Sequence, residues 1–180
     1  MAARVTAARM AAFRALLAME RSRNAHCDEL LRAPAIESLS QADRNLTTAL
    51  VMGVLRWQLA LDKVLAGYLK KKSSLDDAVA IALRLGAWQL LGMDRIPPHA
   101  ALSESVELTK ASGHSHASGL VNAVLRRVAG CFVDRSRSGG CTSDVDDGAM
   151  EQAVWSCCCS CHCCLRSASA SNDGASRRIG

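Results

Sequence analysis

Between positions 5 and 128 the apolar residues of this chain recur every three or four positions, and after Gly130 that rhythm stops. A period of about 3.6 residues belongs to helices that each bury one stripe. The front part is therefore confined to packed helices. Composition agrees, since 49% of the residues are hydrophobic but only 3% are aromatic, with Ala, Leu and Val dominating, which favours helix over pleated sheet. At 180 residues the chain has room for one core, or one core and a tail. The expected architecture is all-α: a compact helical bundle of about seven helices over residues 1–130, then a low-complexity Cys/Ser-rich tail over 131–180. That tail has too few apolar residues to offset the entropy of ordering it, so it is expected to be disordered.

The first helix is expected over residues 4–24, with Val5, Ala8, Ala12, Leu16 and Met19 forming its buried stripe. Arg14 and Arg21 fall on the opposite side and Arg4 on the flank, whereas Arg9 points into the apolar stripe and needs an ion-pair partner. A short turn at 28–31 precedes Pro34. Ser40 with Asp43 then supplies a helix cap for the run through Leu46, Leu50, Val51, Val54 and Leu55. The pattern resumes at Leu59, Leu61, Val64, Leu65 and Leu69, which predicts a separate helix after a bend near Trp57. Ser74 with Asp77 repeats the cap signature ahead of a helix over 79–93, whose Gly86 and Gly92 imply close approach of another helix. Pro97 and Pro98 open a helix over about 100–110, a polar loop spans 112–118, and a last helix covers about 119–129.

Charge and cysteine divide at the same boundary. Residues 1–130 hold 17 Lys and Arg against 11 Asp and Glu, while residues 131–180 hold 5 against 6. The basic excess of the front part suits a polyanion, because each neutralised phosphate releases counterions. The front part contains Cys27 alone, so no internal disulfide staples it, which fits a reducing cytoplasm. Apolar runs fall far short of the roughly 20 residues that cross a bilayer, and no membrane partner is expected. Six of the nine cysteines crowd into residues 157–164, where Cys158/Cys161 and Cys161/Cys164 have zinc-ligand spacing. Tetrahedral sites usually draw on two separated knuckles, so no metal site is assigned.

Four blocks carry a family resemblance. They are Ala42-Asp43-Arg44 leading into Leu50-Val51-Met52-Gly53-Val54-Leu55-Arg56; Leu83-Arg84-Leu85-Gly86-Ala87-Trp88-Gln89-Leu90-Leu91; Arg95-Ile96-Pro97-Pro98-His99-Ala100-Ala101-Leu102 with Glu104, Val106 and Glu107; and Gly119-Leu120-Val121-Asn122-Ala123-Val124-Leu125-Arg126-Arg127. In order and spacing they resemble the NusB-like N-terminal domain of RsmB-type 16S ribosomal RNA cytosine-C5 methyltransferases, from about Arg9 to Val128. The resemblance implies a helical bundle that binds RNA, either fused ahead of a methyltransferase domain or alone as an antitermination factor with a ribosomal protein partner.

The fused relatives also carry a domain for S-adenosylmethionine and a pair of catalytic cysteines. Cytosine C5 methylation needs a thiolate to attack C6 and a Gly-rich turn to hold the cofactor. Neither is recognisable in this sequence, so binding rather than catalysis is expected, with no cofactor. The loss of pattern after Val128 suggests a frame-shifted or truncated continuation of a longer gene. For contact with RNA, and small-subunit ribosomal RNA in particular, the candidate residues are Arg4 and Arg14 on the first helix, with Lys70, Lys71 and Lys72 as a second basic point. His99 is expected to be a helix-start residue, Asn122 an interhelical polar group, and Trp57 and Trp88 core residues. A stand-alone antitermination-type regulator is the alternative reading.

Overall fold

The computed structural model describes residues 5–22, 25–69 and 75–137, with side chains as far as Gly130. Among the described residues there are seven α-helices, one 3-10 turn and no strand. The helices are α1 (Ala7–Arg21), α2 (Cys27–Leu31), α3 (Pro34–Glu37), α4 (Gln41–Ala66), α5 (Asp77–Gly92), α6 (Pro98–Ala111) and α7 (Ser118–Arg137), with the 3-10 turn at Ser115–Ala117 before α7.

α5 is the hub, packing against α1, α4, α6 and α7. Its sequence explains why: Ala78, Val79, Ile81, Ala82, Leu83, Leu85, Ala87 and Leu90 are all buried, so apolar residues circle the helix instead of lining one face. Gly86 lets α6 and α7 come close, since a Cβ there would lie 2.4 Å from Leu125 Cδ1 and 2.7 Å from Ser105 Oγ. The other glycine of this helix has a different role. Gly92 makes room for the indole of Trp88 one turn earlier, and Gly53 of α4 receives the same ring from the far side.

Several helix boundaries differ from expectation: α1 spans Ala7–Arg21 rather than 4–24, and α3 has no counterpart among the expected helices. α4 is one continuous helix of 26 residues, about 39 Å long, with no break at Trp57. Leu61, Val64 and Leu65 stay in phase with Leu50, Val51 and Val54 on the buried side, while Leu59, counted as part of a new pattern, is 80% exposed. The cap of α5 is Asp76, whose side chain accepts from the Ala78 N–H at 3.1 Å. Ser74 lies outside the described residues. At the other end, α7 runs past Ala129 to Arg137, so its last residues come from the segment expected to be tail. The expected disordered tail lies, beyond Arg137, outside the described residues.

The Ser40 cap forms as expected. Its Oγ accepts from the Asp43 N–H at 3.1 Å and donates to the Asp43 carboxylate at 2.7 Å. Pro97 and Pro98 occupy the N-cap and first position of α6, where a missing N–H costs nothing. No helix among the described residues is long and apolar enough to cross a membrane.

Candidate nucleic-acid interface

The orientation of α1 decides which of its arginines can meet a ligand. Ala8, Ala12 and Leu16 are buried on its inner side, and Arg9 is buried with them. Arg9 finds the partner that its burial demands: the guanidinium pairs with Glu104 of α6 at 3.1 Å and donates to Gln89 Oε1 of α5 and to Thr6 Oγ1. The same Glu104 carboxylate accepts from the Thr6 N–H at 3.0 Å and the Thr6 hydroxyl at 2.9 Å, so it also caps the start of α1. One buried network thus joins α1 to α5 and α6.

A second ion pair secures the far end of α1. Arg84 of α5 makes a two-pronged contact with Asp62 of α4 at 2.9 and 3.1 Å, and reaches Glu20 at 3.6 Å. Burial alone would lower the pKa of Arg84, but hydrogen bonding and charge from Asp62 and Glu20 outweigh it and hold the group above its usual value. Arg84 is therefore a structural cation.

With Arg9 turned inward, Arg14 lies about 140° further round the helix and is exposed. It makes no ion pair or hydrogen bond among the described residues. Arg21 follows two turns later on the same side and is also exposed. Arg14 stands at an open groove of about 320 Å³ between α1 and the segment of α2 and α3, lined otherwise by apolar side chains such as Met10, Leu30 and Ile36. Of the candidate RNA contacts, Arg14 alone falls within the described residues, while Arg4, Lys70, Lys71 and Lys72 lie outside them. Arg21, Arg32 and Arg127 are exposed cations outside the candidate set. Arg21 carried a usable signal, because seven residues after Arg14 is nearly two full helical turns.

The other side chains of interest have structural roles. His99 is exposed in the first turn of α6. Asn122 accepts from the Nε of Arg126 within its own helix at 3.2 Å, rather than bridging helices as expected. Trp88 packs against Gly53 and Gly92, with its Nε1 buried and unpartnered. Trp57 is half-buried beneath the guanidinium of Arg56, which lies 5.9 Å from the ring centroid. Burial first, and then the charge of Asp28, push the Cys27 thiol above its ordinary pKa. Groups of three or more His, Cys, Asp or Glu side chains able to hold a metal are absent among the described residues. The cysteine run 157–164 lies outside them.

Comparison with known proteins places this arrangement. Residues 6–130 match the NusB family. The chain is 36% identical over 125 residues to a probable ribosomal RNA small subunit methyltransferase B of Bacillus subtilis, covering 68% of this chain and 28% of that protein. It is 40% identical over 119 residues to the ribosomal RNA small subunit methyltransferase B of Pseudomonas putida, covering 66% of this chain and 27% of that protein. The transcription antitermination protein NusB of Brucella anthropi is 38% identical over 102 residues, which are 55% of this chain and 60% of that one. The chain thus spans little more than a quarter of the length of these methyltransferases. Among solved structures, NusB of T. maritima superposes with a TM-score of 0.63 at 24% identity, covering 71% of this chain and 92% of that chain, which supports the fold. With its helical order, central α5 and matched residues 6–130, the chain belongs to the NusB family.

Proposed function

We propose that residues 1–130 form an RNA-binding domain of the type found in ribosomal RNA small subunit methyltransferase B, that its ligand is small-subunit ribosomal RNA, and that the domain contributes binding and no chemistry. The observation that carries this reading is the split on α1. Arg9 is consumed by a buried ion pair, while Arg14 and Arg21 are exposed and unpaired among the described residues on the side away from the core. Exposed guanidiniums suit phosphate, which positions RNA without needing an aromatic platform. Arg4, Lys70, Lys71 and Lys72 are proposed to extend the contact. A cytoplasmic location follows from the proposed ligand.

A stand-alone antitermination-type regulator acting with a ribosomal protein is a second reading. It is favoured by the match to the Brucella anthropi protein, of which this chain covers 60%. Competition binding separates the two. The first reading expects a small-subunit ribosomal RNA fragment to displace a short single-stranded element from the full chain. The second expects the reverse order, sharpened by adding a ribosomal protein. Under either reading Arg14→Ala and Arg21→Ala each weaken binding across RNA sequences and reduce its salt slope by roughly 0.7–0.9.

A further inference from the structure

α1 carries two apolar stripes, one toward α4 and α5 and one toward α2 and α3. Ala8, Ala12 and Leu16 face inward, yet Met10 and Ala11, one stripe over, line the open groove opposite Leu30, Ala33 and Ile36. Met10, Ala11 and Leu30 are half-buried where α2 and α3 pack on α1, so this second stripe is covered only in part and leaves the groove open.

We propose that this groove docks a protein partner: an acidic amphipathic helix that seats aliphatic side chains between α1 and the α2–α3 segment and places a carboxylate on Arg14. Arg14 is the one charged residue lining the groove, and it makes no ion pair or hydrogen bond among the described residues. Its guanidinium therefore calls for an anion at the rim, where a two-pronged carboxylate contact fits its geometry. The rest of the lining is apolar and offers no side-chain donor, with the weakly accepting Sδ of Met10 its one other heteroatom.

This polarity favours an aliphatic side chain over an inserted RNA base. The carbonyl of Ala33 already accepts from the N–H groups of Ile36 and Glu37, and that of Ala35 from the Ser38 hydroxyl. A base pushed into the groove would leave its polar edge unpaired, with no aromatic ring to stack on. A leucine or isoleucine loses nothing there. Positions 7, 10, 11 and 14 of α1 recur at three- and four-residue spacing, which matches the anchors of a helix laid alongside. The inference goes beyond RNA binding and shares only Arg14 with it.

The test is fluorescence anisotropy on the full chain with a labelled synthetic helix of about sixteen residues, carrying leucines at helical spacing flanked by glutamates. Its lysine-flanked counterpart serves as the control. The acidic peptide is expected to bind and the basic one to bind at least about tenfold more weakly. Ala35→Trp fills the groove from an exposed position and should weaken the acidic peptide at least about tenfold, while leaving a small-subunit ribosomal RNA fragment within about twofold. Ala7→Glu, also exposed, sits in the first turn of α1 where an acid is favourable, and provides a second groove variant should the tryptophan disturb the fold. It should repel the acidic peptide. Failure of the acidic peptide to bind, or equal binding of the two peptides, overturns the proposal. So does unchanged peptide binding by both groove variants. If Ala35→Trp lowers RNA affinity in step with peptide affinity, the groove takes a base and the protein-docking assignment is wrong.

Discussion

Replacing Glu104 with alanine should be among the most damaging single changes to this domain, although Glu104 is not a core residue by type. The Glu104 side chain is 13% exposed and that of Arg9 is 7% exposed, so the pair is largely withdrawn from water. Removing one member of a buried pair leaves an uncompensated charge, at a cost of about 3–5 kcal/mol. Here the low end applies, because Arg9 keeps its bonds to Gln89 and Thr6. The cap on α1 is lost at the same time, since both Thr6 donors point at this carboxylate, which adds up to about 1 kcal/mol. A net loss of about 4 kcal/mol lowers the melting temperature of a domain this size by roughly 16 °C. Urea denaturation followed by circular dichroism measures the first figure and thermal melts the second. Glu104→Gln, which keeps acceptor and shape but not charge, should fall between wild type and alanine. The double change Arg9→Met with Glu104→Leu should recover only part of the loss: it removes the uncompensated charge, but the Thr6 cap stays lost and the buried Gln89 Oε1 loses its Arg9 donor. A Glu104→Ala protein within 1 kcal/mol of wild type would refute the reasoning, since Arg9 would then be solvated without its partner.

Two further outcomes follow from the same packing. Gly53→Ala should destabilise by about 1–3 kcal/mol despite the better helix propensity of alanine, because its Cβ would lie 2.1 Å from Cε2 of a Trp88 ring already held against Gly92; urea melts and the tryptophan emission maximum read this out, and an unchanged midpoint would contradict it. Cys27 should alkylate more slowly than an unperturbed thiol at neutral pH, with a rate that rises with pH through a value above the ordinary thiol pKa; peptide mapping after timed iodoacetamide treatment gives the rate, and alkylation faster than glutathione would contradict it.

Much of the fold was legible because burial on a helix is written in its spacing. The stripe Ala8, Ala12, Leu16 put Arg9 inside and thereby forced an ion pair, and the structure supplies Glu104. The identity of that partner was not legible, since it lies on another helix and one sequence gives no pairing between helices. The same limit hid the meeting of Trp88 with Gly53. The continuity of α4 was missed for a different reason. Leu59 breaks the helical phase only if it faces inward, and an exposed leucine is common enough that a single one does not reset the phase of a helix. On the candidate interface, the outward direction of Arg14 was readable from helical geometry alone. The groove beside it was not, because it forms where α2 and α3 fold back on α1 and depends on contacts distant in sequence.

The central claim, that this NusB-family chain holds RNA through phosphate contacts from α1, is tested most directly by titrating the full chain with a small-subunit ribosomal RNA fragment at several salt concentrations. Phosphate contacts predict that the logarithm of affinity falls linearly with the logarithm of salt, each contact adding roughly 0.7–0.9 to the slope, and that an Arg14→Ala, Arg21→Ala protein loses close to two contacts' worth of that slope. Binding that is undetectable at low salt, or a slope that the double variant leaves unchanged, would contradict it.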